Sequence, residues 1–527
     1  MTVALPAVDA EPAAMRLERH RRRGAHPLLV VAALMVAAMA LVPLGFVLVV
    51  LVQAGWDTAG ALIFRPRMGE LLVNTLLLEA LTLPLCVALA LALAWLTERS
   101  DLPLPALWRW LAVAPLAIPA FVQAYAWDST IPLLRGLWPA VMVSVLAYFP
   151  LVYLPVVAQL RRLDPAVEEV AATLGNPPAL IFLKVVLPQL RLAICGGALL
   201  IALHLLSEYG LYVLVRYDTL TVAIVAQFQA VYDGPAANLM GIVLVALALG
   251  LLALEAWLRG DRRYARIGSG AARTAPLARL GWTWPLWMAL PVGVSLLAIG
   301  LPVTTLLRWL SLGGPEAWRL PVLASAAGQT TFYALLGAAC VCLVSLPIAW
   351  MAARTPGPLQ RWLENIHFHV GALPGVIVAL ALVSITVRIA LPLYQTVATL
   401  LAAYVLLFLP RAIVSVRASL AQIPVELQNA AIALGRPPLH AAIFTTLRLA
   451  APGIGAGMAL VAMGISTELT ATLMLSPIGT ETLATQFWAL TGEFDHMGAA
   501  PFALVMVILS LPLCVILHRE AIGGAAR

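Results

Sequence analysis

The chain has 527 residues, 62% of them hydrophobic and 11% charged, and its mean hydropathy is +0.96. A chain of this length that folds in water does not have so apolar a composition, so the sequence excludes a water-soluble domain and predicts an all-α, polytopic membrane protein. The net charge of +7 resides on arginines in short segments between apolar runs, which favours membrane topology over nucleic-acid binding.

The first residues, 1–26, form a polar tail rich in arginine, and an apolar run begins at Pro27. This run is longer than the apolar core of a signal peptide and lacks a convincing cleavage site, so we expect an uncleaved first helix with a cytoplasmic N-terminus. Eleven further apolar segments reach the roughly 20 residues that a bilayer requires. The twelve predicted spans are 27–52, 71–97, 104–128, 138–159, 192–215, 237–258, 283–307, 325–353, 366–388, 395–416, 452–475 and 498–517.

These spans form two tandem halves of six helices, 27–258 and 283–519. A basic segment, 259–282, is predicted to join the halves in the cytoplasm, and a short tail, 520–527, follows the second half. Of the 32 lysine and arginine residues, 25 fall in segments that this topology assigns to the cytoplasm or to its membrane edge. Such an excess is what the positive-inside rule predicts, so both termini are expected in the cytoplasm.

Neither a cofactor nor a metal site is predicted. His367 and His369 are two positions apart, so a helix points them about 200° apart and they are not expected to share a metal. The cysteines all lie in apolar runs without C-x-x-C spacing, and we interpret them as small core residues. They are Cys86, Cys195, Cys340, Cys342 and Cys514.

The two halves repeat each other in sequence. Arg99 and Pro119 recur as Arg354 and Pro374, 255 residues later, and further along the chain the separation becomes 260 residues. Because each half has an even number of predicted spans, the halves share one orientation and are expected to be related by an axis along the membrane normal. A transport pathway is then expected on that axis.

One polar stretch occurs in both halves, between the fourth and fifth predicted spans. The first copy reads Glu169-Val-Ala-Ala-Thr-Leu-Gly175-Asn-Pro-Pro, and the second reads Asn429-Ala-Ala-Ile-Ala-Leu-Gly435-Arg-Pro-Pro. Apolar residues at helical spacing, followed by the Gly-x-Pro-Pro ending, predict a short amphipathic helix in each copy. The apolar face needs a partner, and the residues alone leave three open: lipid headgroups, the protein's own helices, or a groove on another protein.

The first copy resembles the E-A-A-x-x-x-G pattern of the membrane subunits of binding-protein-dependent ABC importers. In that family the loop is a coupling helix that docks on a separate ATP-hydrolysing subunit. The second copy departs from the pattern at Asn429, where the family has Glu, and this departure implies unequal docking on two copies of one ATPase. The resemblance implies contact through Glu169, Ala171 and Gly175 in the first copy and through Asn429, Ala431 and Gly435 in the second.

A second motif narrows the resemblance. Glu468-Leu-Thr-Ala-Thr-Leu-Met-Leu-Ser-Pro-Ile-Gly479 is similar to the E-L-P-A-T-L-L-L-R-P-x-G signature of fused permeases of the ferric-iron import type, and Glu208-Tyr-Gly is similar to part of its first-half counterpart. The resemblance covers essentially the whole chain. It implies a bacterial inner-membrane permease for ferric iron, with a periplasmic substrate-binding protein and two copies of a cytoplasmic ATPase as partners. Fused permeases for thiamine and for organophosphonates share this architecture, so these cargoes remain alternatives.

Glu208 and Glu468 occupy matching positions within apolar spans. Each is about sixteen residues into its predicted helix, which at 1.5 Å per residue places it ~24 Å along the span, beyond the midplane on the external side. A charge at that depth is costly, so each side chain is expected to face the interior of the bundle. Two interpretations remain open: carboxylates that line the pathway and attract a cation such as ferric iron, or acceptors of local hydrogen bonds that order a kinked helix.

The chain shows no means of hydrolysing ATP. A phosphate-binding loop requires a lysine directly after a glycine, but Lys184, the only lysine in the sequence, follows Leu183. We therefore interpret the protein as a transport subunit that is not an enzyme and that depends on a partner ATPase. A secondary transporter driven by an ion gradient is the alternative; it accounts for the buried acidic residues but leaves the two amphipathic helices without a role.

Two further groups of polar residues have open interpretations. His204 lies one helical turn before Glu208 and is either its partner or a packed polar residue. The external segment after the fifth span is either a docking surface for a substrate-delivering protein or a solvated loop. Its candidate residues are Tyr217, Asp218, Tyr232 and Asp233.

Overall fold

The computed structural model describes residues 26–229, 234–260 and 277–523. Within these ranges the chain is mainly helical, and its β-structure is a single bridge between Ser100 and Ala278. The all-α prediction is therefore confirmed. Several sequence predictions lie outside the described residues: the N-terminal tail through residue 25, most of the linker, Tyr232 and Asp233, the side chain of Cys514, and the last four residues.

The described part of the first half contains both long and very short helices. They are α1 (Pro27–Ile63), α2 (Pro66–Arg99), α3 (Pro105–Val113), α4 (Ala120–Thr130), α5 (Leu137–Tyr148), α6 (Pro150–Leu160), α7 (Pro165–Thr173), α8 (Pro178–Ile181), α9 (Leu187–Ser207), α10 (Gly210–Leu214), α11 (Leu220–Gln229) and α12 (Gly234–Arg259).

The described part of the second half follows a similar order, with α18 in the place of α5 and α6. Its helices are α13 (Trp284–Ser295), α14 (Leu301–Gly313), α15 (Leu320–Arg354), α16 (Pro358–Val370), α17 (Gly375–Ile389), α18 (Val397–Ala421), α19 (Val425–Ala433), α20 (Pro438–Ala441), α21 (Arg448–Ser466), α22 (Thr470–Leu475), α23 (Leu483–Gly492) and α24 (His496–Gly523).

Nine helical segments in the described ranges are long and apolar enough to cross a membrane, and the number rises to eleven if two bent pairs each count as one span. The last predicted span, 498–517, falls on α24, whose apolar part, His496–Pro512, is shorter than the others. The polytopic membrane architecture is thus confirmed, while the count of twelve and the domain boundaries stay predictions.

Two predicted spans, 104–128 and 366–388, are wrong as single helices. α3 and α4 are bent by 91° relative to each other, and α16 and α17 by 95°. Pro119 and Pro374 stand immediately before the second helix of each pair. Proline has no N–H with which to continue a helix, and it disfavours helical backbone in the preceding residue. An apolar run that contains proline can therefore form two helices and not one continuous span.

The predicted spans 192–215 and 452–475 are wrong in their boundaries. α9 ends at Ser207 and α21 ends at Ser466, so the chain turns at Glu208 and Glu468 before the short helices α10 and α22. The two glutamates therefore lie at breaks between helices and not inside helices that continue to residues 215 and 475, while their depth in the membrane stays a prediction. At each break the glutamate side chain accepts a hydrogen bond from a backbone N–H of the short helix that follows.

The halves interlock through their first helices. α1 packs against α16 and α17 of the second half, and α14, which belongs to the first span of the second half, Gly281–Gly313, packs against α4 of the first half. Where α12 contacts α17, a Cβ on Gly241 would lie 2.9 Å from Cδ1 of Ile377, so the two helices approach closely. As a result, hydrophobic clusters contain residues from both halves, and the space between the halves is enclosed by both.

Small residues also let α18 and α21 pack closely within the second half. Gly453 and Gly457, four residues apart on α21, face Ser419 and Ser415 of α18. A Cβ on Gly457 would lie 2.6 Å from the Cβ of Ser415, so a larger residue requires one of the helices to move. Such packing is typical of membrane helices, whose association depends on close van der Waals contact.

Candidate coupling helices and translocation cavity

The duplicated polar stretch forms a nine-residue helix in each half, α7 and α19. Asp164 caps α7 by accepting a hydrogen bond of 3.1 Å from the backbone N–H of Ala166. The corresponding position before α19 is Pro424, which provides no side-chain cap. The two helices are therefore equal in length but differ in how they begin.

A glycine ends each helix with the same backbone geometry. Gly175 has a φ of +83° and Gly435 a φ of +85°. The N–H of the next residue donates to the carbonyl oxygen of Ala171 in the first copy, at 3.3 Å, and of Ala431 in the second, at 3.1 Å. This pattern is a Schellman ending, which requires a left-handed residue that glycine adopts at least cost.

The apolar face of each short helix is exposed. Leu174 is 77% exposed and Leu434 is 85% exposed, and no residue of α19 is buried. Glu169 and Asn429 are exposed at matching positions. The described helices of this chain do not cover these faces, so lipid and another protein remain as partners from the three that the sequence left open.

The short helices are attached differently to the rest of the protein. Arg99, at the end of α2, forms an ion pair of 3.0 Å with Glu168 of α7 and donates a hydrogen bond of 3.3 Å to the carbonyl oxygen of Leu160. Its counterpart Arg354 donates a hydrogen bond of 2.9 Å to the carbonyl oxygen of Ile423, just before α19. Thus an ion pair holds the first helix. The second helix is held by this bond to the turn that precedes it and by a hydrogen bond of 3.2 Å from the hydroxyl of Thr446 to Oε1 of Gln428 on α19.

A charged cluster next to Arg99 strengthens this difference. Glu98 is largely buried and forms ion pairs with Arg109, at 2.9 Å, and Arg161, at 2.8 Å. Ala353 occupies the position of Glu98 in the second half, so it provides no charge there. Among the described residues, more ion pairs therefore surround the start of α7 than the start of α19.

Glu208 caps the short helix after the break in the first half. Its Oε1 accepts a hydrogen bond of 3.1 Å from the N–H of Leu211, and its Oε2 accepts one of 2.5 Å from the hydroxyl of Tyr148 on α5. Hydrogen bonds offset the cost of partly burying a carboxylate, and here the donors come from two different elements.

Glu468 caps α22 in the same manner. Its Oε1 accepts a hydrogen bond of 2.9 Å from the N–H of Ala471, and its Oε2 accepts hydrogen bonds from both the N–H and the hydroxyl of Thr472, each at 2.9 Å. Both glutamates therefore make the local hydrogen bonds that the structural interpretation predicted. Their carboxylates also lie next to open space.

That open space is a cavity of about 410 Å³ between the halves, which both Glu208 and Glu468 line. Its walls come from the two bent pairs, from the breaks after α9 and α21, and from parts of α5, α6, α12 and α18. The remaining lining is mostly leucine, phenylalanine and small residues. The fold therefore brings the two carboxylates to one cavity, and their contact with a transported solute stays a prediction.

Sequence reasoning missed two polar residues of the cavity, Tyr148 and Arg411. The signal that points to them is a departure from the repeat, because Phe408 and Leu151 stand at the corresponding positions. His204 contacts Arg411, with 3.3 Å between its Nε2 and Nη2 of the arginine, and the described hydrogen bonds do not include one to Glu208.

The segment after α10, which the sequence predicts to be external, is tied to the start of α2. Asp218 forms an ion pair with Arg67, and its carbonyl oxygen accepts a hydrogen bond of 3.1 Å from the side chain of Asn74. Tyr217 is buried, and its hydroxyl donates a hydrogen bond of 2.9 Å to the carbonyl oxygen of Asn74. The segment is ordered by these contacts, and its use as a docking surface stays a prediction.

Comparison with known proteins identifies the family. The family model for the inner membrane component of binding-protein-dependent transport systems matches residues 345–519, which include α19 and the break at Glu468. The chain is 34% identical over 473 residues to the Fe(3+)-transport system permease protein FbpB 2 of Haemophilus influenzae, covering 89% of this chain and 93% of that protein. The chain belongs to the family of binding-protein-dependent transport permeases. The permease is thus a transport subunit of the inner membrane, and its family implies a periplasmic binding protein and an ATPase as partners.

Two further relatives match parts of the permease. The putative 2-aminoethylphosphonate transport system permease protein PhnV of Salmonella typhimurium is 29% identical over 162 residues, which are 31% of this chain and 61% of that protein. The sulfate transport system permease protein CysT of Escherichia coli is 27% identical over 240 residues, which are 42% of this chain and 86% of that protein. The resemblance to importer permeases that the coupling motif indicated is confirmed.

Proposed function

We propose that this permease is the membrane subunit of an ATP-driven importer of ferric iron. The observation that carries the proposal is the similarity over 89% of the chain to a protein named as an Fe(3+)-transport permease. The phosphonate and sulfate permeases match only 31% and 42% of the chain. The similarity to the Fe(3+)-transport permease extends over both halves and therefore over both walls of the cavity. This favours iron over the other cargoes.

The coupling helices α7 and α19 dock on two copies of a cytoplasmic ATPase in this proposal. Their exposed leucines and their shared glycine ending support a protein partner with a groove for each helix. Both termini then lie in the cytoplasm, and the periplasmic binding protein delivers its cargo to the opposite side. Closure of the ATPase subunits rocks the two halves between outward-facing and inward-facing states, without covalent chemistry in this chain.

Glu208 and Glu468 attract the cation in the cavity. Ferric iron is a hard ion that prefers oxygen ligands, and carboxylates are among the strongest of these in proteins. Both carboxylates already accept hydrogen bonds from the permease, so their contact with a passing ion is weakened. Weak contact favours release, which transport requires as much as binding.

Reconstitution tests this function directly. The permease is placed in proteoliposomes with its ATPase and its binding protein, and the uptake of radioactive ferric iron is measured with and without ATP. We expect uptake that needs the nucleotide and both partners. Uptake at full rate without nucleotide or ATPase contradicts the proposal and favours the ion-gradient transporter. ATP-driven uptake of thiamine or 2-aminoethylphosphonate, but not of iron, reassigns the cargo.

A further inference from the structure

Arg411 is a cation placed inside the cavity. It lies fourteen residues after the start of α18, which at 1.5 Å per residue is ~21 Å along the helix and therefore within the ~30 Å apolar thickness of a bilayer. Arginine at this depth is costly unless it has a role or a partner. The ion pairs found among the described residues do not include Arg411.

His204 positions the guanidinium without neutralising it. Nδ1 of His204 lies 2.7 Å from the carbonyl oxygen of Leu200, which only accepts hydrogen bonds, so the proton of the neutral ring is on Nδ1. Nε2 then accepts a hydrogen bond of 3.3 Å from Nη2 of Arg411. On the other side, the guanidinium carbon lies 5.3 Å from the centre of the Phe408 ring, a cation–π contact.

The arrangement exists on one side of the cavity only, because the halves differ there. A Cβ on Gly464 would lie 3.2 Å from Nη1 of Arg411, so this glycine leaves room for the guanidinium. In the first half, the positions of Arg411 and Gly464 are taken by Leu151 and His204. Of the five N–H groups of the guanidinium, the described hydrogen bonds use one, and the others are available to a ligand in the cavity.

We propose that Arg411, held by His204, is an oxyanion-binding subsite of the translocation cavity. A planar guanidinium with unused donors recognises the oxygens of phosphate or a similar oxyanion, and the apolar walls strengthen the attraction. The inference rests on the proposed function and deepens it: a trivalent cation in an apolar cavity is costly, and an oxyanion bound beside it lowers the net charge that the cavity must hold.

The test measures the binding of radioactive inorganic phosphate to the full-length permease in nanodiscs. Arg411→Leu introduces the residue of the first half, Arg411→Lys keeps the charge, and Arg417→Gln removes an arginine six residues further along α18 as a matched control. We expect saturable binding by the unmodified permease and by Arg417→Gln. We expect binding weaker by about tenfold or more in Arg411→Leu, because a charged donor is lost, and an intermediate loss in Arg411→Lys.

Three outcomes overturn the subsite: absence of saturable binding by the unmodified permease, equal binding by Arg411→Leu, or binding that appears only when nanodiscs lack anionic lipid. The last result assigns the guanidinium to a lipid headgroup. If Arg411→Leu does not fold, His204→Ala replaces it, since it removes the positioning ring and keeps the charge; unchanged binding in that variant also overturns the subsite. Failure of iron uptake in the unmodified transporter overturns the cargo assignment instead, because phosphate binding is measured separately.

Discussion

Tyr148 donates a hydrogen bond of 2.5 Å to Glu208, whereas Phe408, at the corresponding position of the second half, has no hydroxyl to donate. The carboxylate of Glu208 is thereby joined to α5, a neighbouring helix of its half. The described donors to Glu468 come from its own chain segment, at Ala471 and Thr472. Movement of α5 therefore acts on one carboxylate of the cavity and leaves the other in place.

Removing the hydroxyl of Tyr148 is expected to slow transport more than it lowers stability. Tyr148→Phe keeps the ring and matches the second half, but it leaves Oε2 of Glu208 without its hydroxyl donor, at a cost of about 1–3 kcal/mol. We expect the initial rate of iron uptake in proteoliposomes to fall several-fold. Tyr212→Phe is the matched control, because the described hydrogen bond of that hydroxyl, at 3.4 Å, is to Ser144 and not to a carboxylate. Equal rates in the two variants would argue against a role for the Tyr148–Glu208 bond.

Neutralising the cavity carboxylates separates their two interpretations. Glu208→Gln and Glu468→Gln keep the size and one acceptor oxygen, so at least one backbone hydrogen bond of each cap is kept, but the negative charge is lost. We expect uptake at least about tenfold slower in each variant, as when an interaction worth ~1.4 kcal/mol or more is removed from the transport step. Thermal unfolding should change little.

The control for this pair is Glu79→Gln. Glu79 is 4% exposed and does not line the cavity, so this substitution is expected to leave the uptake rate near that of the unmodified permease. Normal transport by Glu208→Gln and Glu468→Gln would support the purely structural interpretation, in which the carboxylates only order the breaks.

The glycines that end the coupling helices are expected to matter for contact with the ATPase. Gly175→Ala and Gly435→Ala place a side chain at a φ of +83° and +85°, which costs roughly 1–2 kcal/mol and tends to reshape the loop. We expect weaker co-purification of the ATPase and lower ATP hydrolysis by the complex, while the permease stays folded. The controls Gly196→Ala and Gly455→Ala lie in helices with open space around them, so both should behave normally. A loss of coupling in those variants as well would point to general instability.

The ion pair between Arg99 and Glu168 is expected to transmit force from the first coupling helix. Arg99→Gln and Glu168→Gln should each lower ATP-dependent uptake. The double variant should be little worse than Arg99→Gln alone, because the two substitutions remove the same ion pair. A double-mutant cycle on the unfolding free energy should give a coupling of about 0.5–3 kcal/mol. Independent, additive effects of the two substitutions would show that the pair does not act as a unit.

Much of the fold follows from local sequence signals. Thr75 and Thr330 are 255 residues apart, the separation that also relates Arg99 to Arg354. Each accepts a hydrogen bond from a backbone N–H at the start of a short helix, that of Leu220 at 3.1 Å and that of Leu483 at 2.8 Å. The coupling helices also form where the spacing of apolar residues and the Gly-x-Pro-Pro ending place them. Helix ends of this kind depend on a few neighbouring residues, so their positions can be predicted from the sequence.

The sequence by itself determined that this protein is a helical membrane permease with a duplicated plan, because hydrophobicity and motif spacing are properties of short segments. Only the tertiary structure decided that the apolar runs at Pro119 and Pro374 bend, that the first helix of each half packs on the other half, and that Arg411 meets His204 in the cavity that Glu208 and Glu468 line. These features depend on contacts between residues far apart in the chain, and such contacts arise from the packing of whole helices against one another.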